Sequence, residues 1–494
     1  MDYPLLIDAY EKSRNVLGWP RQRVLHECLR DAIRSGKLAA GTRLLASRVL
    51  ACELGVARNS VLYAYDQLAT EGYILPDRRG TVVMHARAPG PAPGAAAPLR
   101  ATLARRAVGL RTLVDSAGMT GAFAPGVPAL DEFPVVVWRR MLERAWRDAS
   151  VSALNYGDPC GEAALRTALA DHLRAARGAE CMPDQVFITA GTQASLDLCA
   201  RAFADAGDKV WIEDPGYAGA LAALRGAQLK PIGIPTDEQG INPGAADWRR
   251  HRPKLIYTTP SHQYPTGSLL SLERRLALIA NAREAGALIL EDDYDSEFRH
   301  DGPPLPAMQG LAPDAPVLYL GTFSKTMFPS LRIGFVVVPC AFAEPLRAYL
   351  ARSAHAGRTA EQLALAQFLR DGQFALHLRR MRRLYRQRRD ALVASLGQHL
   401  GAAGSVHGGS AGMHLAFQLN DKRLDDAALS EQLLKLGIVA PALSTHATGA
   451  RANGWNGFLL GYAQVPAAQI DALVRILAVV VHRSGRTLGA KSLA

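Results

Sequence analysis

The sequence predicts two units of different class on one chain: an N-terminal winged helix-turn-helix of α+β type, and a larger α/β unit that ends in a smaller α+β portion. Three observations carry this. Residues 85–120 open with a Pro-, Ala- and Gly-rich run, His85 to Pro98, that has no apolar face to bury and reads as a semi-extended linker. Ahead of it, residues 1–84 place two apolar-periodic segments either side of Gly55, followed by a hairpin pattern. Behind it, residues 121–494 alternate strand-like and helix-like segments, as a mostly parallel sheet covered by helices does.

In the first unit a helix is expected from Arg21 to Ser35, stopped at Gly36. A short helix then runs from Ser47 to Leu54, turns at Gly55, and gives way to a second from Arg58 to about Gly72. Leu50, Leu54, Val56, Val61, Tyr65 and Leu68 can share one core across that turn. This leaves Arg58, Asn59 and Ser60 facing outward at the amino end of the second helix, where a recognition helix meets the major groove. Ser47 and Arg48 on the preceding helix, and Arg43 ahead of it, stand where phosphates are held. Arg78 to Val83 reads as a wing with Arg79 at its basic tip. A small helical domain with a solvated basic face is the competing reading. The net charge of +12 invites an acidic partner such as DNA, although ordinary enzymes share such a balance.

In the second unit strands are expected at Gln185–Ile188, Lys209–Glu213, Lys254–Thr258, Leu288–Asp292, Val317–Leu320 and Gly334–Val338. From residue 341 the chain turns helical and basic, and the α+β portion begins near 395. The most informative stretch is Gly321 to Gly334. It places Lys325 on the turn after an apolar strand, with Thr322 and Ser324 before it and Arg332 beyond. An amine that can condense with an aldehyde, beside two hydroxyls and a guanidinium that can hold a phosphate, suits pyridoxal 5′-phosphate (PLP). Gly191, Thr192 and Gln193 open a helix after a strand and can offer backbone N–H groups to that phosphate. Asp292 and Tyr294 stand at the carboxyl end of another strand, where open α/β sheets bind ligands. Asp292 is assigned to the pyridine nitrogen and Tyr294 to the ring oxygen. Glu291 and Asp293 are expected to be exposed strand-end acids. Tyr217 either stacks on the ring or belongs to the core. His262 either donates to the ring oxygen or is a structural loop histidine. Tyr156 can reach a neighbouring subunit's phosphate.

The six cysteines are scattered, with no His/Cys cluster, so neither a metal site nor a disulfide framework is expected. The chain shows no leader and no apolar run long enough to span a membrane, which makes the reducing cytoplasm the default.

Gly41 to Leu44, Ser47-Arg48, Leu54 to Val61 and Glu71 to Ile74 resemble the GntR-type winged helix-turn-helix, apart from Leu45, where that family commonly has proline, and a shorter, arginine-richer wing. Residues 121 to 480 look like a fold-type I aminotransferase. With Thr259 to Gly267 and Glu291 to Arg299 added, the whole is similar to the MocR/PdxR subfamily of GntR regulators. The resemblance implies Lys325 as the Schiff-base residue, Asp292 at the pyridine nitrogen and Arg332 at the phosphate. It also implies a domain-swapped homodimer with cofactor sites at the subunit interface, in which each winged helix lies on its partner's large domain. Gly219 departs from relatives that carry an arginine there to hold an amino-acid effector, and Arg451 is the candidate for that carboxylate here. The dense basic run from Arg379 to Arg389 is read as a structural helix, with added DNA phosphate contacts as the rival reading.

Three functions follow. The first is a transcriptional regulator that senses PLP or an amino compound at Lys325 and controls amino-acid or vitamin B6 genes. The second is a PLP-dependent aminotransferase with an appended DNA-binding domain, in which Lys325 also shuttles protons. The third, a DNA-binding protein with an empty scaffold, sits badly with Lys325, Asp292 and Arg332 together.

Overall fold

A computed structural model describes residues 1–14, 16, 18–77, 79–84, 102–110, 121–302, 305–353, 357–448 and 454–491. The chain divides into two compact units, residues 1–102 and 103–494.

In the first unit the helix Arg21–Arg34 is followed by Ser47–Leu54 and Arg58–Thr70, with Gly55 in the left-handed region (φ 61°) between the last two. That φ favours glycine, and it turns the chain without straining a side chain. A three-stranded sheet of β1 (Arg43–Leu44), β2 (Ile74–Asp77) and β3 (Gly80–Val83) forms the wing, with β3 in the middle. Leu50, Val61, Tyr65 and Leu68 are buried in one core, and Leu54 and Val56 pack against it. A further helix, Tyr3–Ser13, lies ahead of these elements and buries Tyr3 in the same core.

The second unit is built on an eight-stranded sheet. Its strands are β4 (Val186–Thr189), β5 (Lys209–Asp214), β6 (Lys230–Asp237), β7 (Gly240–Ile241), β8 (Leu255–Thr258), β9 (Leu288–Asp293), β10 (Val317–Thr322) and β11 (Gly334–Val337). Their order is β4-β11-β10-β9-β8-β5-β6-β7. Parallel pairing joins β10, β9, β8, β5 and β6, while β11 runs antiparallel to both β10 and β4. The carboxyl ends of β4, β5, β8, β9 and β10 therefore share one edge. Successive residues feed opposite faces: Val210, Ile212, Tyr257, Leu290 and Leu320 enter one core cluster, and Trp211, Ile256, Ile289 and Val317 the other. Both faces are covered by helices, as a mostly parallel sheet requires.

All six expected strands form, within two residues of the expected ends. β6 was not expected, because Pro231 and Pro235 deny it two ladder donors. It is tolerated near the sheet edge, beside a β7 of only two residues. The smaller portion holds three antiparallel strands, β12 (Gly404–His407), β13 (His414–Leu419) and β14 (Gly457–Gly461), against the helices Gln373–Leu400 and Ala467–Lys491.

The basic run lies within the Gln373–Leu400 helix, and its arginines largely serve the fold. Arg388 is buried and donates to the Ala463 carbonyl, Arg382 to Glu297 O and Arg386 to His300 O. Arg389 pairs with Asp301 and Asp390, and Arg380 with Glu132. No helix among the described residues is long and apolar enough to cross a membrane.

Candidate cofactor site and DNA-binding face

At the shared strand edge a cleft is lined by Gly126, Thr192, Tyr217, Tyr264, Asp292, Tyr294, Lys325 and His414, among others. Lys325, just past β10, donates from Nζ to the Gly126 carbonyl at 2.8 Å. A Cβ at Gly126, whose φ is +71°, would lie 2.6 Å from Nζ, so any side chain there would push the amine aside.

Strand alternation sorts the three acids of β9. Asp292 shares the parity of Leu290 and faces the cleft, where Tyr257 donates its hydroxyl to Oδ2 at 2.8 Å. Its other oxygen, Oδ1, is buried without a hydrogen-bond partner. Burial pushes the Asp292 carboxyl up to about 7, against the Tyr257 hydrogen bond and with help from the charges of Asp293 and Glu213. Glu291 and Asp293 point to the other face, and the expectation that they are exposed is wrong. Both are buried. Asp293 pairs with Arg177 at 2.7 Å and accepts from Tyr319, while Glu291 accepts from the Met308 and Gln309 amides. Sequence shows the acids but not Arg177, which reaches them from a distant helix.

The Thr192–Phe203 helix begins after Gly191 (φ 95°) with no side-chain cap, so its first amides are offered outward. A Cβ built on Gly191 would stand 3.7 Å from the Arg332 guanidinium. Thr322 and Ser324 lie beside one another, Thr322 Oγ1 to Ser324 Oγ 3.1 Å, at the end of β10. Gln193 instead donates its side-chain amide to the Gly219 carbonyl at 2.9 Å.

Tyr217 lines the cleft edge-on to Tyr264, with ring centroids 5.4 Å apart. Gly219 supports it closely: a Cβ there would lie 2.4 Å from the Tyr217 ring, which gives the missing arginine a steric reason. Tyr294 also reaches the cleft, but its hydroxyl donates to the His262 carbonyl at 2.9 Å. His262 is buried, with Nδ1 3.1 Å from Asp295 Oδ2 and its ring 4.5 Å from that of His414. Burial drives His414 well below its ordinary value, leaving it neutral. Tyr156 is exposed and not among the residues lining its own chain's cleft. Arg451 lies outside the described residues. Sequence reasoning missed Tyr257, Met413 and His414, which come to the cleft only through strand register and the packing of the smaller portion.

The residues present fit PLP. Asp292 Oδ1 is a buried acceptor with no partner, an amine lines the same cleft, and the Gly191 cradle opens on a guanidinium.

On the first unit Arg48, Arg58 and Asn59 are exposed, Ser60 is half-buried, and Arg58 Nε is 3.4 Å from Ser47 Oγ. Arg43 donates to the Arg79 carbonyl across the wing. Arg78 lies outside the described residues.

The family model for aminotransferase class I and II matches residues 123–477, and that for bacterial regulatory proteins of the gntR family matches residues 21–83. A probable rhizopine catabolism regulatory protein MocR of Rhizobium meliloti is 40% identical over 456 residues, 90% of each chain. The HTH-type pyridoxine biosynthesis transcriptional regulator PdxR of Corynebacterium glutamicum is 34% identical over 465 residues, 93% of this chain and 94% of that one. Among solved structures, the α-aminoadipate aminotransferase LysN of Thermus thermophilus, complexed with N-(5′-phosphopyridoxyl)-L-leucine, superposes with a TM-score of 0.70. It is 28% identical and covers 78% of this chain and 98% of its own. With a gntR-type head and a class I and II aminotransferase body matched along nearly its whole length, the chain belongs to the MocR/PdxR family of HTH-type regulators.

Proposed function

We propose that this protein is a cytoplasmic, dimeric transcriptional regulator that binds operator DNA through its winged helix and senses PLP, or an amino compound that reacts with it, at Lys325. The single observation that carries the reading is Lys325 in one cleft with the unpartnered Asp292 Oδ1. When bound, PLP supplies an aldehyde that exchanges between amines and a pyridinium ring that withdraws electrons. Lys325 Nζ is the chain's own amine for that exchange, and once displaced it can hold or pass a proton. Asp292 Oδ1 would accept from a protonated ring nitrogen and keep it charged. Thr322, Ser324, Arg332 and the amides at Gly191 to Gln193 would hold the phosphate. Tyr217 would bound the ring, and Tyr156 would serve the phosphate of the partner copy.

An amino compound that took the place of Lys325 would alter the contacts of the cleft without altering the head. Moving a two-state dimer from mostly one form to mostly the other takes about 5 kcal/mol of differential affinity. Covalent exchange can meet that requirement. The genes controlled are taken to be those of amino-acid or vitamin B6 metabolism, the latter supported by a relative named for pyridoxine biosynthesis.

Borohydride treatment of the PLP-loaded protein, followed by peptide mass analysis, tests the site. The label is expected on Lys325 and absent from Lys325→Ala. A colourless protein with no label at 325 refutes the sensor. The completeness of the cleft favours a second reading, an aminotransferase with a DNA-binding head; sustained turnover of an amino donor with a keto acceptor would establish it.

A further inference from the structure

The outward stripe of the Arg58–Thr70 helix is not uniformly polar. Val61, Ala64, Tyr65 and Leu68 point into the core. One turn beyond Arg58 and Asn59, on the opposite side, Leu62 is 40% and Tyr63 43% exposed. Positions 58, 59, 62 and 63 fall on one face at i, i+4 spacing. The same unit exposes the guanidiniums of Arg43, Arg48 and Arg58, which suit phosphates.

An isobutyl side chain gains nothing from a phosphate, and in water it needs no partner of its own. Within a surface that meets a duplex it has one complementary group. The 5-methyl of thymine is the apolar feature of the major groove, and apolar side chains contact it directly. A guanidinium on a phosphate binds any sequence alike, and one at a base edge reads guanine, so neither supplies this discrimination. From the exposure of Leu62 on the second turn of this helix, one turn along from exposed Arg58, we infer that Leu62 is a specificity-determining residue. It reads a thymine methyl in each half-site, and Tyr63 flanks the contact. The inference rests on the DNA-binding reading above and narrows it to one base and one atom group.

The test uses the full-length dimer. Bound duplexes are selected from a random library, and thymines of the recovered site are then replaced one at a time by deoxyuridine, which removes only the methyl. Affinity is read by fluorescence anisotropy. At one thymine per half-site, wild-type protein is expected to lose about fourfold, the fold-change that matches ~0.8 kcal/mol for one buried methyl-sized group. Leu62→Ala should bind thymine and deoxyuridine sites equally, bind scrambled duplex as wild type does, and keep its helical circular dichroism. Leu62→Met should restore the preference. A wild-type protein indifferent to every replacement, or a loss of the same size in Leu62→Ala, overturns the assignment while leaving DNA binding intact. Failure to bind any duplex removes the regulator reading as well.

Discussion

Replacing Asp292 by asparagine separates the burial of this acid from its charge. In the native protein without cofactor the carboxyl is held at about 7 instead of the ordinary 3.8, chiefly by burial. The folded state therefore keeps a proton that the unfolded chain releases above about pH 4. Stability contributed at this position is complete below that point, falls as pH rises toward 7, and is flat beyond. At roughly 1.4 kcal/mol per pH unit the fall is on the order of 4 kcal/mol, an upper figure because Tyr257, Glu213, Asp293 and Lys325 respond with it. Asparagine keeps an oxygen for the Tyr257 hydroxyl and has nothing to titrate. Urea unfolding of cofactor-stripped wild type and Asp292→Asn, from pH 4 to 8, can be followed through the near-ultraviolet signal of buried Trp138 and Trp211. Wild type should lose roughly 2–4 kcal/mol relative to the variant across that range. Added PLP should then stabilise wild type far more than the variant, since only the carboxylate matches a protonated ring nitrogen. Parallel pH curves for the two proteins would refute the burial argument.

Three further outcomes follow from the geometry. Gly219→Ala places a methyl 2.4 Å from the Tyr217 ring and must displace it; PLP affinity, read from visible absorbance, should weaken roughly two- to tenfold, the range of one aromatic contact of about 0.5–1.5 kcal/mol. Arg48→Ala should lower the slope of log affinity for duplex DNA against log salt by about 0.9. In contrast, neutralising Arg386, which donates to His300 O, should leave that slope unchanged.

The parts of the site that sequence made legible are those written locally. Lys325, Thr322, Ser324 and Arg332 share one turn after an apolar strand, so polarity at a strand end was enough to mark them. The same holds for Gly55 and the helices either side of it. What escaped depends on partners far away in the chain. β9 shows three consecutive acids, but only Arg177, Tyr319 and the Met308 amide decide which of them are structural. Tyr257 reaches Asp292 through the pairing of β8 with β9, and His414 arrives on a strand of the smaller portion. β6 was hidden by its own prolines.

Gly126 ties the reactive amine to the backbone of a short strap. The strap's first residues are stitched into the smaller portion, Ala122 N to Gly437 O at 3.0 Å and Gly461 N to Phe123 O at 2.8 Å. Any departure of Nζ from its resting place thus leaves the Gly126 carbonyl unmatched on a strap stitched into the smaller portion, so the chemistry and the seam between the body's two portions occupy the same few peptide units.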